Sequence, residues 1–290
     1  MTIKKRTGLV KKSIMEIKYL VEDSMCQPFG RIKTGLLLWE SCVIPFLINN
    51  AGSWLGMKKS DIDCLTKLQH YFFSQILAIQ NCPAHAMTWD LGCLSMHLRI
   101  LKEKLSLYHH IVCLPENALA RQVLEIQEKF NFPGLREEIQ PFLAKYNLTD
   151  VKSFSKGEWK KMIKKYIFEE NASFLLNEMK KYKKNEVESF ALEEFGLKKY
   201  FSYLNLEQAR IKFRERMKCM VTCKTHFPSE PQFIKDMLQC PEPECSKIDV
   251  LDHWKFCSAY DYLKQGRNFS RDVDLIEFYR AVISHREAQL

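Results

Sequence analysis

The segment CPEPECSKIDVLDHWKFC, residues 240–257, groups three cysteines and one histidine. Cys240 and Cys245 flank a four-residue loop with two prolines, and His253 and Cys257 are spaced as neighbours on one face of a helix. Zinc favours four thiolate or imidazole ligands, which short turns supply in pairs. The pattern Cys-x4-Cys-x7-His-x3-Cys therefore predicts a structural Zn²⁺ site. A catalytic zinc is disfavoured because four protein ligands leave no position for water.

Chance clustering is the alternative interpretation, since the chain contains 11 cysteines. A second set, Cys219, Cys223 and His226, has no evident fourth ligand and is predicted to lie in the core. The odd number of cysteines argues against a complete disulfide framework. Reduced thiols are what we expect of a protein in the cytosol or nucleus.

Positive charge is concentrated in the middle of the chain. Residues 151–224 carry 18 basic and 10 acidic side chains, a net charge of +8, whereas residues 1–150 carry +4 and residues 225–290 carry −3. A localised excess indicates a polyanion partner, with a solvated lysine-rich helix face as the alternative. Trp159 and Tyr166 could stack on bases, although burial is favoured for both. The predicted phosphate-binding residues are Lys160, Lys161, Lys164, Lys165, Arg210, Lys212, Arg214 and Arg216.

Motifs for catalysis are missing. The chain has no Asp-Asp pair for two-metal chemistry. It also lacks the phosphate-binding motif Gly-x-x-x-x-Gly-Lys, the dinucleotide-binding motif Gly-x-Gly-x-x-Gly and the nucleophile motif Gly-x-Ser-x-Gly. Asp272 and Asp274 occur where a helix is expected to begin and are predicted to be caps. His109 and His110 lie in an apolar helical stretch and are predicted to pack. The sequence therefore predicts no active site.

Hydrophobic periodicity predicts an all-α protein. The chain has only 10 glycines and 10 prolines, and no stretch alternates at period two for long enough to indicate a sheet. The clearest helix follows Ser60 and has apolar residues at spacings of 3, 4, 4 and 3, namely Leu65, Leu68, Phe72, Ile76 and Ile79. Another helix is predicted over 119–130, ended by Pro133 and Gly134.

The basic segment is also predicted to be helical. Ser155 and Glu158 form a capping box that opens a helix with Trp159 on its inner face. In residues 206–220 the basic side chains alternate as they would in a strand, but the apolar side chains recur at helical spacing. We predict a helix there because Glu-Gln-Ala-Arg at 207–210 favours one.

No targeting or membrane segment is expected. The first residues, MTIKKRTGLVKKSIM, contain no apolar signal-peptide core. The most apolar run, Leu36–Ile48, contains Glu40 and Pro45 and is shorter than the ~20 residues that span a membrane. We predict a buried helix bent near Pro45. The expected location is intracellular, in the cytoplasm or nucleus, with no membrane partner.

Several stretches follow one another along the chain: GLLLWESCVIPFLINNAGSW, the helix containing Leu65, DLGCLSMHLRILKEKLSLYHHIV, ARIKFRERM, the Cys/His cluster and DVDLIEFYRAVISHRE. In this order they resemble the C-terminal region of non-LTR (LINE-type) retrotransposon reverse transcriptases. The resemblance covers nearly the whole chain. It implies a helical thumb-like domain over 1–146, a basic helical segment over 147–224 and a Cys-Cys-His-Cys zinc-binding tail over 225–290 that contacts RNA or DNA.

Two departures from that family affect what the resemblance implies. The family usually separates its first two cysteines by two residues, whereas four residues separate Cys240 and Cys245. The family's palm, with its Asp-Asp polymerase motif, has no counterpart in these 290 residues. The polymerase activity is therefore not carried over to this chain.

Three functional hypotheses follow from the sequence. The first is a nucleic-acid-binding, non-catalytic part of a retroelement reverse transcriptase, with RNA or DNA as partner. The second is a helical interaction or scaffold protein, or a decayed retroelement product, with no nucleic-acid role. In the third, this chain completes the catalytic part of a reverse transcriptase supplied separately.

Overall fold

The structure, a computed structural model, is built of helices. No strand occurs among the described residues, where a single antiparallel bridge joins Leu91 and Leu197. The prediction of an all-α fold is confirmed. Within the same residues, no helix is both long enough and apolar enough to cross a membrane. The structure describes residues 3–23, 28–79, 82–130, 132–182, 194–216, 240, 242, 245 and 251–287.

The helices vary from one turn to more than seven turns in length. Short 3-10 turns also occur, at Ala51–Ser53, Val151–Ser153, Lys199–Ser202 and Ser258–Tyr260. The α-helices are α1 (Ile3–Asp23), α2 (Pro28–Leu38), α3 (Ile44–Leu47), α4 (Lys59–Leu77), α5 (Ala84–Asp90), α6 (Met96–Val112), α7 (Leu119–Lys129), α8 (Leu135–Lys145), α9 (Lys156–Tyr182), α10 (Leu206–Arg216), α11 (Leu251–Phe256), α12 (Asp261–Lys264) and α13 (Asp272–Glu287).

The chain forms two compact units. The first comprises Met1–Ser24, Lys33–Ile76 and Pro83–Leu197, and the second comprises Met25–Ile32, Leu77–Cys82 and Lys198–Leu290. In the first unit α9 packs against both α5 and α6. The segments expected from the sequence, 1–146, 147–224 and 225–290, divide the chain at other places and remain a prediction.

One hydrophobic cluster of the first unit forms where α6, α8 and α9 meet. Trp159 of α9 is buried, and its indole Nε1 donates a hydrogen bond to the backbone oxygen of Leu105, 3.2 Å away. The ring of His109 stacks on Trp159 with 5.1 Å between centroids, and its Nε2 lies 3.0 Å from the oxygen of Phe154. Trp159 and His109 thus pack in this hydrophobic cluster, as predicted, whereas His110 is exposed and the prediction that it packs is wrong.

A buried asparagine joins α9 to the start of α6. Asn171 is fully buried, and its Oδ1 accepts hydrogen bonds from the backbone N of Ser95 at 2.9 Å and from its hydroxyl at 2.8 Å. Its Nδ2 donates to the oxygen of Cys93 at 3.1 Å. Because Ser95 directly precedes α6, Asn171 satisfies an amide that the helix itself leaves without a partner.

The apolar segment with Pro45 contains a π-helical turn. This turn covers Trp39–Val43, and α3 with its proline follows directly. Proline has no amide hydrogen to donate to the preceding turn, and a widened turn accommodates that loss. The turn also places Glu40 against Arg99 of α6, whose guanidinium Nη1 donates to the Glu40 carboxylate at 2.7 Å.

Two other local predictions are confirmed. In α4 the apolar stripe Leu65, Leu68, Phe72 and Ile76 is buried. At the start of α9 the capping box is formed. The amide of Ser155 donates to the Glu158 carboxylate at 2.9 Å, and the Glu158 amide donates to the Ser155 hydroxyl at 3.3 Å.

Candidate metal centre

In the second unit, α10 and α13 pack together and support the cluster of cysteines and histidine. Phe213 of α10 and Phe278 and Tyr279 of α13 are fully buried. Trp254 of α11 is also buried and contacts the ring of Tyr279, with 6.2 Å between centroids. These aromatic contacts fix α11, which carries His253.

The structure brings the four predicted metal ligands together. The Sγ atoms of Cys240 and Cys257 are 4.0 Å apart, and the Sγ of Cys245 lies 3.2 Å from the Nε2 of His253. All four ligand atoms lie within 4.8 Å of one another. Cys240, His253 and Cys257 are buried, and Cys245 is half-buried. The four-residue loop between the first two cysteines therefore does not prevent the cluster from forming.

These distances fit a tetrahedral metal ion. With a zinc–sulfur bond of about 2.3 Å, two sulfurs of a regular tetrahedron are about 3.8 Å apart. The separation of 4.0 Å between Cys240 and Cys257 is close to that value. Three sulfurs and one imidazole nitrogen are soft or borderline ligands, the set that selects zinc over magnesium or calcium. The cluster can hold a metal ion.

Without a metal, the Cys257 thiol favours the protonated form. Burial raises the pKa of the Cys257 thiol to about 12, and the nearby sulfurs of Cys245 and Cys240 raise it too. A bound dication reverses this preference because it stabilises thiolates. Proton release would therefore accompany metal binding.

Residues distant in sequence hold the loop that carries Cys240 and Cys245. Glu242 is buried in this loop, and its Oε1 lies 3.2 Å from the Nε2 of His285 on α13. The Nδ1 of His285 is hydrogen-bonded to the hydroxyl of Tyr262, 2.9 Å away. These three side chains thus lie next to one another, with a hydrogen bond between Tyr262 and His285.

A lysine lies next to the cluster. The ammonium Nζ of Lys264 donates to the backbone oxygen of Cys257 at 2.8 Å and to the Asp261 carboxylate at 2.6 Å. Three thiolates, one neutral imidazole and a divalent ion would together carry one net negative charge. The Lys264 ammonium lies near that charge, but its own charge is already compensated by Asp261.

The four lysines predicted to bind phosphate on α9 are exposed. Lys160, Lys161, Lys164 and Lys165 all lie on the solvent side of this helix, opposite the buried Trp159. Among the described residues, none of these four ammonium groups takes part in an ion pair. Their charge is therefore available to a ligand.

The basic residues of α10 have a different environment. Lys212 forms ion pairs with Asp272 at 2.8 Å and with Glu215 at 3.3 Å, so its charge is already compensated. Arg216 lies over the ring of Tyr200, with its guanidinium carbon 5.8 Å from the centroid. Arg210 and Arg214 are half-buried. These residues belong to the second unit, whereas the lysines of α9 belong to the first.

Asp272, predicted to be a helix cap, also binds side chains of other segments in the second unit. It lies in the first turn of α13, where its carboxylate accepts hydrogen bonds from the hydroxyl of Tyr203 at 2.6 Å and contacts Lys212. Burial alone would raise the pKa of Asp272, but the hydrogen bonds from Lys212 and Tyr203 outweigh it and lower this pKa. The residue therefore ties α10 to α13.

Part of the predicted chemistry lies outside the described residues. This holds for Cys219, Cys223 and His226, which are predicted to be in the core. Sequence reasoning missed Glu242, Lys264 and His285, because nothing in their spacing links them to the cluster.

Comparisons with known proteins identify no relative. No family model matches the chain, and no curated protein and no solved structure is significantly similar to it.

Proposed function

We propose that this chain is a nucleic-acid-binding, non-catalytic module, corresponding to the C-terminal part of a retroelement reverse transcriptase and stabilised by a structural zinc ion. The observation that carries the proposal is the convergence of Cys240, Cys245, His253 and Cys257 within 4.8 Å of one another. The order of sequence stretches that resemble that family supplies the nucleic-acid part of the proposal.

The zinc ion would have a structural role. Cys240 and Cys245 themselves lie outside helices, whereas His253 lies on α11 and Cys257 directly after it. A shared ion would connect the loop to the helix with four bonds. Because all four ligands come from the protein, the ion has no free position at which to activate water.

Phosphate binding would be carried mainly by the exposed lysines of α9. Lys160, Lys161, Lys164 and Lys165 form one face with no ion pairs among the described residues. The bases of a single strand are free to stack, but Trp159 is buried and Tyr166 stacks on Tyr146, with 4.3 Å between centroids. The proposal therefore relies on phosphate contacts rather than on stacking by these two rings.

The metal is tested by elemental analysis of the full chain purified without chelator. We expect close to one zinc per chain for the wild type and a large loss for Cys257→Ser. Cys113→Ser is the matched control, because Cys113 is an exposed cysteine outside the cluster and should leave the zinc content unchanged. A wild-type protein without zinc would refute the metal site.

The nucleic-acid interface is tested by fluorescence anisotropy with a single-stranded RNA over a range of salt concentrations. Each phosphate contact with a single strand contributes about 0.7 to the slope of log K against log salt. Replacing the four α9 lysines by glutamine should weaken binding and reduce that slope by up to ~3.

The control for this experiment removes the same charge elsewhere. A variant with Lys11, Lys12, Lys58 and Lys59 replaced by glutamine loses four positive charges at other exposed positions. If both variants lose affinity equally, binding depends only on net charge and the α9 interface is wrong. Lys212→Gln should have the smallest effect of the predicted contacts, because that lysine is already ion-paired.

A further inference from the structure

Helix α7 exposes its apolar stripe instead of burying it. Leu119, Val123, Ile126 and Phe130 are spaced by 4, 3 and 4 residues, and their exposed fractions are 75%, 45%, 50% and 60%. At 100° per residue they fall within about 60° of arc. Leu124, the buried residue of α7, lies about 130° away from this stripe. The helix thus contacts its own core with one leucine and presents its main apolar face outward.

Phe132 extends this exposed face beyond the helix end. It is 59% exposed, and its ring centroid lies 6.1 Å from that of Phe130. It also lines a groove of about 780 Å³ between α7 and α8, together with Pro133 and Pro141. We call the set Leu119, Val123, Ile126, Phe130 and Phe132 the α7 face.

The exposed area of the α7 face is large for a monomer. From the exposed fractions, the five residues present about 600 Å² of accessible surface, the upper end of the largest apolar patch on an ordinary monomer. Two such faces packed together would bury at most about 1,200 Å², which is the lower limit for a specific, stable interface. The area of the α7 face is therefore compatible with a dimer of modest affinity.

The spacing and the flanking residues are compatible with self-pairing. A 4-3-4 spacing is that of the core positions of a two-helix coiled coil. In an antiparallel pair, Val123 of one copy lies against Ile126 of the other. On the flanks, Gln122 then faces Lys129 of the other copy, and Ala120 faces Gln127. No like charges meet, because Lys129 is the one charged residue at these flanking positions.

We propose that the α7 face is a homodimer interface in which α7 pairs antiparallel with α7 of a second copy of this chain. The dissociation constant is expected on the order of micromolar, because the buried area is at the low end for stable complexes. This inference does not depend on the metal or on nucleic acid.

The oligomeric state of the full chain tests the proposal, by sedimentation equilibrium between about 1 and 100 μM protein, a range that brackets the expected constant. The wild type should shift from monomer to dimer across this range. The double variant Val123→Glu, Ile126→Glu should stay monomeric, whereas Leu37→Glu, at a residue exposed by 65% outside the face, should dimerise as the wild type does. Thermal unfolding of each variant checks that it is folded.

A second pair of variants tests the antiparallel arrangement. Gln122→Glu should tighten the dimer by about three- to fivefold, because it creates two pairs with Lys129 per dimer, and Gln122→Lys should weaken it by a similar factor. Equal constants for these two variants would refute the antiparallel register. A wild type that is monomeric at 100 μM, or a dimer unaffected by the double glutamate change, would refute the interface and leave the face to a different protein.

Discussion

Replacing Asn171 by alanine should strongly destabilise the first unit. The change removes two hydrogen bonds accepted from Ser95 and one donated to Cys93, at distances of 2.8–3.1 Å. The three partner groups would remain buried without a partner, and each such group costs about 1–3 kcal/mol. Allowing for local relaxation, we expect a loss of about 3–5 kcal/mol in the free energy of unfolding, a large part of the 5–15 kcal/mol typical of a domain.

The assay is urea unfolding followed by circular dichroism, with the midpoint and slope fitted for each variant. Asn177→Ala is the matched control, because Asn177 is an exposed residue of the same helix. Alanine has the higher helix propensity, so the control should change stability by less than ~0.5 kcal/mol. If Asn171→Ala differs from this control by less than about 1 kcal/mol, the polar bridge does not stabilise the fold as we reason.

The variant Asn171→Asp separates the accepted hydrogen bonds from the donated one. Aspartate keeps an acceptor for Ser95 but, when ionised, cannot donate to the oxygen of Cys93. Burial would raise its pKa above that in the unfolded chain, so the destabilisation is greatest at neutral pH and decreases as pH falls and the carboxyl gains a proton. A destabilisation that is constant between pH 7 and pH 4 would contradict this account.

Three other predictions concern pH, an ion pair and the metal. Burial lowers the pKa of His97 from 6.5 in the unfolded chain to about 4 in the folded protein. The free energy of unfolding of the wild type should therefore fall by at most about 3 kcal/mol as the pH drops from 6.5 to 4. His97→Gln should flatten the pH dependence of the urea midpoint there, and an unchanged dependence would contradict the assignment. The pKa of Asp272 is lowered despite partial burial, by the hydrogen bonds from Lys212 and Tyr203, so Asp272→Asn should lose about 1 kcal/mol or less at neutral pH. That difference should decrease as pH falls below the pKa of the unfolded carboxyl and vanish only below the lowered pKa of Asp272 in the folded protein. Equal urea midpoints at pH 7 would exclude the ion pair as a contributor. Chelation should lower the melting temperature of the wild type, and added zinc should restore it, because a ligand bound only by the folded state stabilises it. Cys240→Ser should respond to neither treatment, and a chelator response that persists in this variant would place the metal elsewhere.

Features that depend on neighbours along the chain could be predicted from the sequence alone. The stripe of α4 and the capping box at Ser155 are set by residues within a few positions of one another. Their periodicity and backbone chemistry act within one or two turns. The four candidate metal ligands were found for the same reason, since Cys240, Cys245, His253 and Cys257 lie close together in sequence and have spacings typical of zinc sites.

Contacts between distant parts of the chain were decided by the tertiary structure. Nothing in the sequence pairs Asn171 with Ser95, or His285 with Glu242, because each pair is separated by many residues and forms only once helices have packed. Lys212 is predicted from the sequence to contact phosphate, but its ammonium forms an ion pair with the Asp272 carboxylate, 2.8 Å away. Asp272 is 60 positions further along the chain, so this ion pair depends on the packing of α10 against α13.

Whether an apolar helix face points to the core or to the solvent was likewise decided only by the packing of the helices. The pattern of α7 predicted a helix over 119–130, and its apolar residues would ordinarily face the core. Periodicity defines which residues share a face, but not what that face contacts. That contact depends on the rotation of the helix in the packed unit, where α7 buries Leu124 and leaves Val123 and Ile126 exposed.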